Sequence, residues 1–187
     1  MANLKCEYPN GCMLDLWAKV IKSKYIERQA RILDINFCIP ADQVGGKISS
    51  VEHVMAKVLD KTEEFQFNSV KIYIDYVIIM TVAVGIEFQV VTLGDIYEQV
   101  IDLQEFDPPL SSQEFKEDVQ QSEIILTNWN FVCDIKGNCE DPFNPCFMTS
   151  PVSGTCLSLQ VYVDIIDKLG KMHDVLVYGE LDPETNC

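Results

Sequence analysis

"NSVKIYIDYVIIMTVAV", residues 68–84, is the stretch on which the fold turns. Val70, Ile72, Ile74 and Tyr76 recur at every second position. In an extended chain successive side chains point to opposite faces, so this spacing lays four apolar groups on one face of a strand. From Val77 the run is apolar on both faces and rich in β-branched residues, which suit a pleated sheet better than a helix. "YVIIMTVAV" (76–84) is far too short for a membrane-spanning helix and reads as a buried strand.

The same period extends outward. Upstream, "VEHVMAKVLD" alternates Val54, Ala56 and Val58; downstream, "GIEFQVVTL" adds Ile86, Phe88 and Val90. "EIILTNWNFVCDI", "GTCLSLQVYVDIID" and "HDVLVYGELD" are three further alternating runs. Residues 13–30 fit two periods: Leu14, Trp17 and Ile21 at helical spacing, and Leu14, Leu16, Ala18 and Val20 at strand spacing. The strand-like run that follows favours strand. "GDIYEQVIDLQEF" fits a short helix or a strand, while "FDPPLSSQEFKED" reads as a loop from its Pro-Pro and Ser-Ser pairs. "KLGK" (168–171) reads as a tight hairpin turn. Six to eight strands and at most one or two short helices predict an all-β fold, mainly an antiparallel β-sandwich or jelly-roll-like domain. The expected organisation is a connector arm over 1–12, a single β-sandwich domain over 13–184 with a Cys-rich insertion at 134–156, and a tail over 185–187.

With 187 residues, 48% hydrophobic and 23% charged, the chain has a globular composition and can bury a sizeable core. Its net charge of −15 opposes nucleic acid and anionic membrane surfaces as partners, because both need a positive field. Residues 1–20 lack the basic and apolar regions of a secretory signal.

Catalytic motifs are missing from the sequence. There is no Gly-x-Ser-x-Gly elbow and no phosphate-binding glycine loop, and the two histidines, His53 and His173, sit in strand-like runs. The expectation is a protein that is not an enzyme and has no cofactor. The segment "DIKGNCEDPFNPC" (134–146) gathers Asp134, Asn138, Glu140 and Asp141, oxygen ligands of the kind calcium takes, but not at EF-hand spacing. It reads as a disulfide-pinned loop, with no metal assigned.

Eight cysteines remain to be explained: Cys6, Cys12, Cys38, Cys133, Cys139, Cys146, Cys156 and Cys187. None forms a C-x-x-C pair and the spacings match no common zinc pattern, so disulfides are the expected use. A thiol on a terminal arm does little for its own domain but can reach a neighbour. Cys6, Cys12 and Cys187 are therefore candidates for bridges between chains. Cys133, Cys139, Cys146 and Cys156 are candidates for bridges within the chain that pin the insertion, and Cys38 is left open.

Residues of about 38–107 resemble the SPOCS-type domain of spore-coat proteins from endospore-forming bacteria. The resemblance rests on Cys38 and Pro40, the Val54–Val58 strand, the Val70–Tyr76 strand, and Ile86 with Phe88. The "MAN…C…C" start, through Cys6 and Cys12, is similar to the cysteine-bearing N-terminal connectors of endospore appendage (Ena) subunits. Both resemblances imply a self-assembling spore-surface protein. Such a protein is made without export and oxidised after the mother cell lyses. Its partners would be its own copies and other spore-surface proteins. The competing expectation is a soluble β-sandwich module that binds carbohydrate, protein or calcium, with Tyr8, Trp17, Trp129 and Phe143 as contact candidates.

Overall fold

Strand β4, Ser69–Val84, carries the alternation to completion: every even-numbered side chain from Val70 to Val82 is fully buried, and its odd-numbered neighbours are half-buried. The computed structural model describes the backbone of residues 3–8, 11–146 and 153–180 and the side chains of 18–146 and 153–173. Around β4 the described chain forms β1 (Asn3–Tyr8), β2 (Gly11–Pro40), β3 (Ile48–Phe65), β5 (Glu87–Asp102), β6 (Gln121–Asn138) and β7 (Gly154–Glu180). Helices α1 (Ala41–Val44) and α2 (Ser112–Asp118) and a 3-10 turn (Leu103–Glu105) complete it. The fold is all-β, with two antiparallel sheets ordered β1-β2-β7-β6 and β3-β4-β5. Among the described residues no helix is long and apolar enough to cross a membrane.

The chain divides into two compact units, and β2, β6 and β7 contribute residues to both. One unit holds Ile26–Asp102 and Ile124–Ile166. Here β7 matches β4, because Leu157, Leu159, Val161, Val163 and Ile165 are all fully buried. The buried face of β4 meets the other sheet through Tyr76. Its hydroxyl donates to the Ile32 carbonyl at 3.2 Å, and its ring lies 6.4 Å from that of Trp129. Burial and the nearby Asp95 carboxylate push the Tyr76 phenol well above its usual range, so it stays a neutral donor.

In this unit Asp164 is a buried carboxylate held from both sides. Asn128 Nδ2 on β6 donates to it at 2.8 Å, and the Gln29 backbone N–H on β2 donates at 2.8 Å. The Arg28 guanidinium adds a third contact at 2.6 Å. These hydrogen bonds, that of Asn128 foremost, hold its pKa far below the usual aspartate range. Gln29 and Asn128 are also, among the described residues, the non-glycine residues with positive φ, 52° and 53°. The two neighbours of the central strand therefore kink beside the one carboxylate.

The other unit holds Met1–Tyr25, Leu103–Glu123 and Asp167–Cys187. The backbone of Asn3–Tyr8, within the expected arm, is a strand that pairs antiparallel with the start of β2, Leu4 opposite Leu14. The stretch expected to be a loop contains α2, where Ser111 and Glu114 form a reciprocal capping box. Lys24 and Asp107 exchange backbone hydrogen bonds, and the rings of Tyr25 and Phe106 lie 5.9 Å apart.

"KLGK" is not a hairpin turn, because β7 runs straight through it. Gly170 serves another purpose: a Cβ there would lie 2.4 Å from the Val20 carbonyl oxygen, so the glycine lets the β2 backbone approach. Gly170→Ala is expected to cost about 1–3 kcal/mol in urea unfolding, the usual range for overpacking. An unchanged midpoint would show that β2 yields freely at this point.

Candidate functional site

Among the described residues, two disulfides gather four of the cysteines at one end of the β7 ladder. Cys38, near the end of β2, bonds to Cys139, which follows β6, and Cys146 bonds to Cys156 on β7. Cys139, Cys146 and Cys156 form a small buried cluster with Cys38 packed against it. Cys133, expected in a bridge within the chain, is a free thiol. It lies six residues before Cys139 on an extended strand, roughly 20 Å along the chain, which puts it out of reach of the cluster. Burial, with help from neighbouring Asp134, pushes its thiol up and keeps it protonated. Cys187 and the side chains of Cys6 and Cys12, the three candidates for bridges between chains, lie outside the described residues, as do the side chains of Tyr8 and Trp17.

The bridges set a rigid loop. Asn144 is nearly buried; its Nδ2 donates to the Lys136 carbonyl at 2.8 Å and its Oδ1 accepts from the Cys146 N–H at 3.0 Å. Asp141 Oδ1 accepts from the Phe143 N–H at 3.0 Å, and the Asp134 carboxylate pairs with Lys136. These oxygens serve the loop itself, and among the described residues no three His, Cys, Asp or Glu side chains are grouped to hold a metal ion. Phe143 is left pointing outward, 95% exposed. Trp129, by contrast, stacks on Phe131 at 6.1 Å along β6. His53 is exposed on β3 and His173 half-buried on β7.

The second feature is the outer face of the β3-β4-β5 sheet. Register carries the odd residues of β4 to this face, with Met55 opposite Ile79, Val90 opposite Thr81 and Ile96 opposite Asp75. The face is apolar over much of its area: Met55, Phe88, Val90, Ile96 and Val100 are all exposed, Phe88 by 67%. A sheet covered on one side is expected to present polar groups on the other, so this apolar stripe lacks a partner within its own sheet. A shallow hollow of about 310 Å³ lies in it, lined by Asp60, Thr62, Tyr73, Asp75 and Ile96. Asp60 and Asp75 sit directly opposite one another, a pairing of like charges that sheets normally avoid. At one end Lys71 pairs with Glu98 at 2.7 Å and lies 4.6 Å over the Tyr73 ring; the Glu98 hydrogen bond raises its pKa above the usual lysine range.

The thiol cluster was half legible: even parity and irregular spacing pointed to disulfides, but nothing in the spacing marked Cys38 as the partner of Cys139. The outer face was missed, although β4 being apolar on both faces from Val77 was its signal.

Residues 65–182 match the family model described as "Domain of unknown function (DUF8305)", a span that takes in β4 to β7 and the insertion. No curated protein and no solved structure matches the chain.

Proposed function

The chain belongs to the DUF8305 family, and we propose, on its own residues and geometry, that it is a self-assembling structural subunit of an endospore-surface coat or appendage fibre. Its copies associate through β edges and terminal arms and are locked by disulfides between chains. The observation that carries this reading is the set of exposed apolar side chains, Met55, Phe88, Val90, Ile96 and Val100, on one face of the β3-β4-β5 sheet of a chain of net charge −15. Contiguous exposed apolar area marks an interaction surface. Copies of so acidic a chain repel one another at long range, so short-range apolar contact and covalent linkage have to supply the cohesion. The disulfide-pinned loop supports the setting, since such bridges persist in oxidising surroundings. The spore surface is the setting that the resemblance to coat proteins implies.

Peptide mapping of native material without reduction tests this. Cys6, Cys12 or Cys187 is expected to be found bonded to another copy, and replacing all three by serine is expected to abolish the ladder on non-reducing gels. Bridges that all close within one chain would overturn the proposal. The noncovalent association should also strengthen with salt, because screening relieves the repulsion.

Phe143 favours a second reading. A fully exposed aromatic ring on a loop fixed by two disulfides is a preorganised contact of the kind binding modules use. Loss of binding to a carbohydrate or protein ligand on Phe143→Ala, with monomeric chain throughout, would support that reading over assembly.

A further inference from the structure

The β3-β4-β5 sheet has two outer edges, and they differ in how they are protected. Natural sheets guard an edge with bulges, charges or proline. The β3 edge is guarded: its pairing with β4 shifts at three places, and it carries Glu52, Lys57, Asp60, Lys61, Glu63 and Glu64. The β5 edge is not. Its pairing with β4 runs from Glu87 to Asp102 without a shift. Between Glu87 and Asp95 it reads "FQVVTLG", with no charge and no proline. Flat, uncharged runs of six or seven residues of high β propensity are the ones that pair with another chain.

The backbone of that run faces outward in register. Gly85 and Ile86 form a two-residue turn, with the positive φ of 62° at Gly85 that a type II′ turn requires at its first central position. Val84 and Glu87 flank this turn as a hydrogen-bonded pair, so Glu87, Gln89, Val91 and Leu93 bond to β4. The N–H and C=O groups of Phe88, Val90, Thr92 and Gly94 therefore point away from the sheet. Among the described residues no strand takes them: β5 is the end of its sheet, and no backbone hydrogen bond outside the strand ladders reaches it.

We infer that the β5 edge, Phe88–Gly94, is a homotypic interface that pairs antiparallel with β5 of a second copy. This rests on the assembly reading and deepens it by naming the contact and its symmetry. Charge selects the occupant. A chain of net charge −15 can approach its own copy closely where it carries no charge, and this is such a segment. Two-fold pairing about Val90 sets Val90 against itself, Phe88 against Thr92 and Glu87 against Leu93, with no like charges opposed. The same axis places both outer faces on one side, so Phe88 and Val90 of the two copies form one apolar strip across a six-stranded sheet. The contact is closed and isologous, so a fibre would be built from such pairs, joined by the arms.

The test uses the full chain with Cys6, Cys12 and Cys187 replaced by serine, so that any association is noncovalent. Sedimentation equilibrium is expected to show a monomer–dimer equilibrium. Val90→Lys, which opposes two lysines at the axis, is expected to weaken it at least tenfold, and Thr92→Lys to do the same. Leu59→Lys, at another exposed site, on β3, should leave it unchanged. Circular dichroism shows whether each variant is folded. A monomer at all concentrations, or a dimer indifferent to Val90→Lys and Thr92→Lys, overturns the β5 interface. If unsubstituted native chain still forms disulfide-linked polymer in that case, the assembly reading survives without it; if it does not, both fail.

Discussion

Replacing Cys38 and Cys139 together by serine is expected to destabilise the protein by about 4.7 kcal/mol, against about 2.7 kcal/mol for replacing Cys146 and Cys156. The difference comes from the chain each bridge closes. Cys38 and Cys139 are separated by 101 residues, and Cys146 and Cys156 by 10. A cross-link removes more freedom from the unfolded chain when the loop it closes is longer. The 101-residue loop contains the whole of the segment that folds into the β3-β4-β5 sheet, so in the unfolded state this bridge restricts more than half of the chain. The Cys38 sulfur is closely packed as well: a Cβ added at Gly154 would lie 3.0 Å from it and 2.4 Å from the Ile39 carbonyl oxygen. Urea unfolding of the two double variants, without reductant, checks the order. If the shorter loop proves the costlier to open, chain entropy does not govern these bridges.

The period-2 run over Val70–Tyr76 was legible because β4 is a central strand with one buried and one open face, so its face pattern is written directly into its residues. Strand ends were harder to read. Gly170 signals a turn by composition, yet it lies mid-strand because the neighbouring backbone needs its missing side chain. Three residues before Glu114, Ser111 carried the capping box that starts α2, and the Pro-Pro and Ser-Ser pairs around it hid that signal. On β3 the visible alternation Val54, Ala56, Val58 breaks where the pairing shifts between Val58 and Asp60. That bulge reverses which residues face inward, and no local rule places it. Disulfide partners are set by the return of distant strands, β2 to β7 and β6, and that is information about topology rather than spacing.

Asp164 was the least legible feature, since an aspartate in "VYVDIIDK" reads as a solvent-facing position between apolar ones. Its substitution is expected to have one of the largest effects in the molecule. Asp164→Asn leaves the Arg28 guanidinium without its carboxylate and offers the Gln29 N–H a weaker acceptor. Asn128 Nδ2 then meets an amide rather than a carboxylate. Removing the acceptor from partly buried, charge-assisted hydrogen bonds costs more than losing surface ones, so the loss should exceed that of Gly170→Ala. Acid titration gives the signature. The folded pKa of Asp164 lies below its unfolded value, so its stabilisation is fully present above about pH 4 and is lost as pH falls toward the folded value. The Asn variant should show a shallower decline of stability below about pH 4 than the parent. A parallel decline would show that Asp164 is not what the fold depends on in acid. The kinks beside it give a second check. Positive φ at Gln29 costs roughly 1–2 kcal/mol for a residue with a side chain, a strain that glycine avoids. In the parent, Gln29→Gly keeps the backbone N–H bond but loses the side-chain contacts to the Asn128 carbonyl and to Asp164. In the Asp164→Asn background the contact to residue 164 is already weakened while that to the Asn128 carbonyl stays, so Gln29→Gly should cost less there than in the parent. An equal effect in both backgrounds would mean that the kink of β2 is set by its own chain and not by the carboxylate it surrounds.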